Sequence, residues 1–580
     1  MTTIENRRFA LMAATGVILF LLYQAWEKDF APKPAPAPAA AAAPLTGGDE
    51  IPSAPTEAPA ASSAAAPGKV AVAAAPAAAR RITVRTDKLT AVISTEGGDL
   101  RQVVLLGYPV TKKQPDAHVA LLDDQGGHWF VAQSGLTSPE SPIVSHRDLY
   151  SAQATNYALA DGQDSIDVPL EFTDAQNRRV VKTWRFTRGS YVVGLSQRLI
   201  NASAAPVAAS AYVQLWNDPF AAGEAPPFTP TFAGVGFYEQ KNGNGSYRFH
   251  KVSFEDLPQE RIDGRQTGGW LAMLQHYFLA AVIPPPDESG TFIAKPSKDR
   301  GHLGQYIGAL REVAPGAEQE FTVRLYIGPR IQSGLAPQPD TRGLFEKIFN
   351  LDGLEYVAPG LELTLDYGIL SGLAKPLYWL LDWFHKLTQN WGAAIILLTF
   401  VVKLAMFKLS EAQYRGMAKM KKYAPRIQEL KERYGDDRER MHKAMMELYK
   451  KEKFNPLAGC WPLLIQFPVF IALYWVLLES VELRQADFAL WLNDLSSPDP
   501  YYVMPALFAI TMFVQQKLSG NVTMDPMQQR VMGLMPWMMG VFFAFFPVGL
   551  VLYWFVSNLI GIAQQWYITN KLEREGLSHR

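Results

Sequence analysis

Cysteine is almost absent from this chain: Cys460 is the single one in 580 residues. No intrachain disulfide can form, and cysteine usage is silent about redox compartment. Net charge is absent as well, because 55 basic side chains balance 55 acidic ones. A neutral total identifies no partner, so local charge has to be read instead. Residues 31–79 contain no aromatic side chain and few branched ones, as in "APKPAPAPAAAAAPLTGG". Such a stretch cannot bury enough apolar surface to offset its ordering, which predicts a disordered Ala/Pro linker over 31–80. The histidines and acids show no metal-ligand spacing and no nucleophile motif. We therefore expect no enzyme, no metal, no small-molecule cofactor and no nucleic-acid readout.

What is present comes as two materials. Residues 81–340 hold short alternating or β-branched runs, among them "RITVRTDKLTAVIST", "KTWRFT", "YVVGLSQRLI" and "QEFTVRLYIGPR", separated by Gly, Asp, Asn and Pro. That texture predicts an antiparallel β-sandwich. The glycine-rich "GVGFYEQKNGNGSYRF" lacks a following helical pattern, so it reads as a hairpin turn and not as a phosphate loop. Residues 390–570 are dominated by long apolar runs.

At the start, Arg7 and Arg8 precede an apolar stretch from Phe9 to Trp26. It is longer than a typical signal-peptide core and ends in Tyr23 and Trp26, which favours an uncleaved anchor over 1–30. The connecting segment 341–390 contains "LAKPLYWLLDWFHKLTQ", with Leu373, Leu377, Leu380, Leu381, Phe384 and Leu387 at helical spacing. Lys375, Asp382, His385 and Lys386 lie largely opposite, the profile of a helix in the membrane interface. The alternative is an amphipathic helix packed on the sandwich. Five spanning candidates follow, at about 391–409, 458–480, 503–518, 531–546 and 548–567. With the anchor they make six crossings. The fold class expected is thus a multi-domain membrane protein, a transmembrane helical bundle with a five-helix core and an external all-β domain.

Orientation follows from basic residues in the loops. Residues 408–456 hold 14 Lys/Arg against 8 Asp/Glu, whereas 479–502 hold one Arg and five acids. The first is therefore placed in the cytoplasm and the second outside. Residues 31–370 are expected to be periplasmic, and both termini, including the tail 571–580, cytoplasmic. Within 410–455, Met417, Met420, Ala424, Ile427, Leu430 and Tyr434 predict one helix, and Met441, Met445 and Leu448 a second. "GDD" between them supplies a stop and an N-cap. Pro425 is expected to kink the first arm of this basic hairpin, which has the charge to meet anionic lipid or a ribosome.

The residue that demands explanation is Lys403, inside "WGAAIILLTFVVKLAMFKL". A lysine at the centre of a bilayer costs at least about 2.5–3.5 kcal/mol on insertion scales. One reading is snorkelling toward cytoplasmic headgroups about 9 Å away along the helix. The other is a wet cavity. Thr399 lies one turn earlier on the same face, and other spans supply Gln466, Asn558, Gln564, Gln565, Tyr553 and Trp554. No acid occupies the centre of any span, so an unpaired positive charge would attract an acidic visitor. A small-anion transporter and an insertase both fit. The transporter would require repeats and paired broken helices, which the five unequal spans do not show. Met417, Met420, Met445, Met446, Met524, Met527, Met532 and Met535 favour adaptable contact with varied apolar segments.

Several long motifs then carry a resemblance: "NPLAGCWPLLIQFPVFIALYWVLLESVELRQADFALWLNDLSSPDPYYVMP", "TMDPMQQRVMGLMP", "FFPVGLVLYWFVSNLIGIAQQ" and, in the external domain, "GGWLAMLQHYFLAAVIP". The chain resembles the YidC membrane protein insertase family of Gram-negative type over nearly its whole length beyond the linker. The resemblance implies a β-supersandwich in the periplasm and a hydrophilic groove open to the cytoplasm and closed outside. It implies insertion of nascent membrane proteins, alone or with the Sec translocon, and ribosome contact. It also places the family's basic groove residue, usually Arg, at Lys403, and its substrate-contacting positions at Thr399, Tyr553 and Trp554. Lysine keeps the charge and loses the planar fork. The sandwich further resembles aldose-epimerase-like domains, in fold only.

Overall fold

Alternation decides the strands. In Val192–Asn201 every second side chain, from Val193 through Leu195, Gln197 and Leu199 to Asn201, is buried. The strand pairs antiparallel with Arg178–Thr187 on one side and Glu318–Pro329 on the other. The computed structural model describes residues 51–52, 79–125, 129–218, 232–241, 246–297, 301–331, 357–365, 367–435, 437–451, 461–519 and 526–574. The expected anchor 1–30, Cys460 and Met524 lie outside them, as does nearly all of the linker. Among the described residues, strands between Arg81 and Pro329 form an eleven-stranded and a nine-stranded sheet. Pairing is antiparallel apart from Thr83–Arg85 against Asn156–Ala158. Leu100, Phe130, Val213 and Phe292 of one sheet share a buried cluster with Trp184, Leu195, Val282 and Leu325 of the other. Sheets hydrophobic on one face are stable once those faces meet, and a sandwich results.

Lys182 is a fully buried cation within the sandwich. The ammonium of Lys182 donates to the carbonyls of Gly97 (2.5 Å) and Ser134 (2.9 Å) and sits over the Tyr150 ring. Burial pulls its pKa down to about 8 and pushes nearby Asp99 up to about 6, against the pull of Arg101 and Lys182.

Eight α-helices follow among the described residues: α1 (Ser371–Thr388), α2 (Trp391–Ala405), α3 (Phe407–Tyr434), α4 (Arg438–Lys451), α5 (Trp461–Glu479), α6 (Val503–Ser519), α7 (Pro526–Phe543) and α8 (Val548–Arg574). The apolar stripe of α1 is buried at Leu377, Leu381 and Phe384 and packs with α2 and α5, leaving Trp383 and Leu387 exposed. His385, placed on the polar side, stacks on Trp391 at 3.9 Å. In the basic hairpin Gly435 follows α3, and the Asp437 carboxylate accepts the Arg440 N–H at 3.0 Å, a helix N-cap. Pro425 stands inside α3.

The expectation of six crossings is met in part among the described residues, and the anchor 1–30 lies outside them. The structure has a membrane-spanning helical region, and among the described residues only α8 is long and apolar enough to cross alone. A second crossing exists if α2 and Phe407–Arg415 count together, and these are bent by 57°. The straight span expected over 391–409 is therefore broken at Met406, where the helix stops and restarts. Within the described residues the apolar stretches Gln466–Glu479, Val503–Leu518 and Met532–Phe543 are shorter, while α5 as a whole runs 19 residues.

The sandwich and the helices meet where α5 ends. Arg330, just past the last strand, pairs with Glu479 at 3.1 Å, with side chains 3% and 7% exposed. Its guanidinium also donates to the carbonyls of His276 and Thr364. His276 Nε2 donates to the Leu478 carbonyl at 2.9 Å, and the Tyr378 hydroxyl donates to Glu482 at 2.7 Å. Burial holds His276 down at about 4, so it is neutral at physiological pH, with the proton on Nε2. Further out, Arg484 donates to the carbonyls of Pro109 and Val110, and Lys112 pairs with Asp487.

Candidate functional site: the polar interior of the helical region

Lys403 occupies the last turn of α2. The helix starts at Asn390, whose side chain accepts the Ala393 N–H at 2.9 Å. Along α2, Ala394, Ile395, Leu398 and Thr399 are buried, whereas Phe400, Val401 and Leu404 are exposed. Lys403 is half-buried at the border between these faces. Its ammonium has no ion pair among the described residues. The free carbonyls at the C-terminal end of a helix carry partial negative charge, which favours a cation in this turn. Thr399, one turn deeper, is fully buried, and its hydroxyl donates to the Ile395 carbonyl at 2.6 Å.

The polar side chains facing α2 come from α8 and its neighbours. Gln564 donates to the Lys403 carbonyl at 3.2 Å. Ser557, on α8, accepts from Gln466 of α5 at 3.4 Å, and Asn558 donates to Thr511 of α6 at 3.5 Å. The Tyr414 hydroxyl of α3 donates to the Gly561 carbonyl at 3.4 Å. A Cβ at Gly561 would lie 2.9 Å from the Gln515 amide nitrogen, so that side chain packs directly over the glycine. At the far end, Lys571 of α8 pairs with Glu411 of α3 at 2.7 Å. Polar contacts thus join α8 to each of α2, α3, α5 and α6.

Of the five residues anticipated for a groove, Gln466 and Tyr553 come together, with Gln466 the polar neighbour of the Tyr553 hydroxyl. That hydroxyl and the Trp554 indole N–H are both buried without a hydrogen bond of good geometry to any described residue. Trp554 packs against Phe470, Phe543 and Phe508, with ring centroids 5.0, 5.9 and 6.1 Å away. Lys403 and Thr399 stand on α2, linked to α8 through Gln564. Sequence reasoning missed Ser557, Thr511, Gln515 and Tyr414. Ser557 and Thr511 are short hydroxyl residues in apolar runs, common in helices generally. Gln515 and Tyr414 lie near span ends, where polarity carries no signal.

Fold and site define an integral membrane protein carrying a large β-sheet domain. Residues 383–575 match the family model described as "60Kd inner membrane protein", and residues 81–380 match "YidC periplasmic domain". The chain is 45% identical to the membrane protein insertase YidC of Methylococcus capsulatus, over 98% of this chain and 99% of that one. It is 43% identical to that of Nitrosococcus oceani, over 99% and 100%. A crystal structure of an active YidC insertase with its first transmembrane domain resolved is 18% identical, over 85% and 93%, with a TM-score of 0.36. The chain belongs to the YidC family of membrane protein insertases. It is an inner-membrane insertase and chaperone of membrane proteins.

Proposed function

We propose that insertion proceeds through the polar tract beside Lys403, which receives the short hydrophilic tail of a nascent membrane protein from the cytoplasm. Lys403 draws the tail in. Thr399, Gln466, Tyr553 and Trp554 border the path along which the following apolar segment passes to lipid. The observation that carries this reading is the half-buried ammonium with no acidic partner among the described residues, on a helix whose neighbour α8 bears polar side chains toward several helices. Two unit charges about 4 Å apart attract by roughly 1 kcal/mol in water and about 4 kcal/mol at an effective dielectric of 20. That captures a tail without trapping it. Burial of the guest's apolar segment, at about 25 cal/mol per Å², supplies the main driving force.

The same reading assigns residues 1–30 to an anchor, 31–80 to a linker, 81–340 to the periplasmic sandwich and 341–390 to a connecting segment with an interfacial helix. Residues 391–570 form the insertase core, with six crossings in all and both termini in the cytoplasm. The basic hairpin 410–455 meets the ribosome and anionic lipid, and larger guests are handled with the Sec translocon. The test is a reconstituted insertion assay comparing Lys403→Arg with Lys403→Glu on guests with acidic tails. Arg should retain activity. Glu should lower it about tenfold or more, since about 1.4 kcal/mol is one decade. Equal behaviour of the two removes electrostatic capture.

A further inference from the structure

The segment joining α5 to α6 lies at the end of the helical region, and its backbone is pinned throughout. Asp494 accepts from the Gln485 and Ser496 N–H groups and from the Ser496 and Ser497 hydroxyls. Asp499 accepts from the Trp491 indole and from the Tyr501 and Met504 N–H groups. The first amides of α8 donate to the carbonyls of Ser497 and Leu495, and Asn390 at the start of α2 donates to the Phe488 carbonyl. A segment so constrained could easily turn its apolar side chains inward. Instead Leu490 is 85% exposed, with Tyr501 and Tyr502 at 68% and 59%.

The backbone makes that exposure deliberate. Leu490 and Tyr502 both sit at φ +56°, in the left-handed region that an L side chain disfavours. Strain at a leucine whose side chain meets only water has no return within the fold. The neighbouring surface says what the side chain meets. Leu507, Ile510, Val514 and Leu518 are exposed at 3–4 spacing along α6, an apolar stripe on a helix of the membrane region. Tyr502 immediately precedes that helix, its carbonyl accepting the Ala506 N–H, so the tyrosines stand at the end of α6 where the stripe begins. Trp491, next to Leu490, meets the Tyr501 ring edge-on at 6.5 Å.

We propose that Leu490, Tyr501 and Tyr502 form a fixed apolar tip seated in the external leaflet, at the boundary between headgroups and acyl chains. Tyrosines suit that depth because their rings are apolar and their hydroxyls wet. The tip sets the depth at which α6 and the start of α8 lie. It rests on the external placement of 479–502 in the reading above, and the experiment separates the two.

In the full chain with Cys460→Ser, Leu490→Cys carries an environment-sensitive fluorophore, and Asp161→Cys on the sandwich surface serves as the aqueous reference. Right-side-out and inverted vesicles of phosphatidylethanolamine and phosphatidylglycerol are compared. The proposal expects strong quenching of the Leu490 probe by lipids spin-labelled near the headgroup, and severalfold weaker quenching by iodide than at position 161. Iodide quenching equal to the reference in right-side-out vesicles overturns the lipid contact and leaves the external placement standing. Quenching by iodide in inverted vesicles alone overturns the placement and the tip with it. Leu490→Asn, which accepts the left-handed backbone, gives a second measurement: a probe at Tyr501→Cys should become severalfold more accessible to iodide in that variant. No change there also overturns the proposal.

Discussion

Replacing Arg330 with Met should loosen the joint between the sandwich and the helices, and the cost follows from burial. The guanidinium pairs with Glu479, both side chains are under 10% exposed, and it donates to the carbonyls of His276 and Thr364. Truncating one partner of a buried pair leaves an uncompensated charge, at about 3–5 kcal/mol. Removing Glu479 as well, in Arg330→Met with Glu479→Leu, eliminates that charge. The two carbonyls still lose their donor, at roughly 1–3 kcal/mol each where water cannot reach them. The double variant should therefore be more stable than Arg330→Met alone, with a coupling of about 1–3 kcal/mol between the positions. The assay is unfolding of the full chain in lipid nanodiscs, followed by heat and by proteolysis, for both single variants and the double. If the double variant is destabilised by the sum of the singles, no charge pair couples the two parts and the reasoning fails.

His276 makes the same joint sensitive to acid. Its folded pKa, about 4, lies below the ordinary 6.5 because burial disfavours the cation. The unfolded chain takes up the proton first, so stability is present above pH 6.5 and is lost as pH falls toward 4, by at most about 3 kcal/mol. Asp99, raised to about 6, titrates with opposite sign in that window. The pH-dependence of wild type minus His276→Asn cancels it, and a flat difference between pH 7 and 4 contradicts the assignment. Gly392→Ala should displace the segment joining α5 to α6, since a Cβ there would stand 2.0 Å from the Phe488 ring, near its root. Overpacking of this kind costs about 1–3 kcal/mol. Faster proteolysis within 486–497 is the expected readout, and an unchanged cleavage rate would show that Phe488 yields freely.

Much of this architecture is legible in local pattern. The alternation of "YVVGLSQRLI" becomes a strand buried on one face, and "GDD" becomes a helix stop followed by the Asp437 cap. Pairing is less legible: His302–Gly308 lies beside Val207–Asn217, and nothing local to either segment encodes that partner. The break at Met406 escapes notice because no Pro or Gly marks it. It is seen only where the α2 ladder ends. Thr399 and Lys403 share a helix face, as their spacing requires, yet Thr399 satisfies its hydroxyl on its own helix while Lys403 stays at the border. The Arg330–Glu479 joint is invisible beforehand for a different reason. Each residue sits at the end of its own element, where a charge ordinarily meets water.

Helix length resolves why the chain keeps a lysine at position 403. Inside a straight 19-residue span, Lys403 would sit well within hydrocarbon. In the structure it ends a 15-residue helix, about 22 Å long at about 1.5 Å per residue, against a hydrocarbon core of about 30 Å. Helix α6, at 17 residues, is likewise short. Helices shorter than the bilayer draw it thinner around them or leave their ends in polar surroundings, at a modest cost per ångström. Either response brings water toward Lys403, and the carbonyl end of α2 favours its charge further. Snorkelling and guest capture therefore need not compete. The short helix makes the ammonium cheap to keep, and under the function proposed above the same shortness would narrow the apolar layer a hydrophilic tail has to cross to reach it.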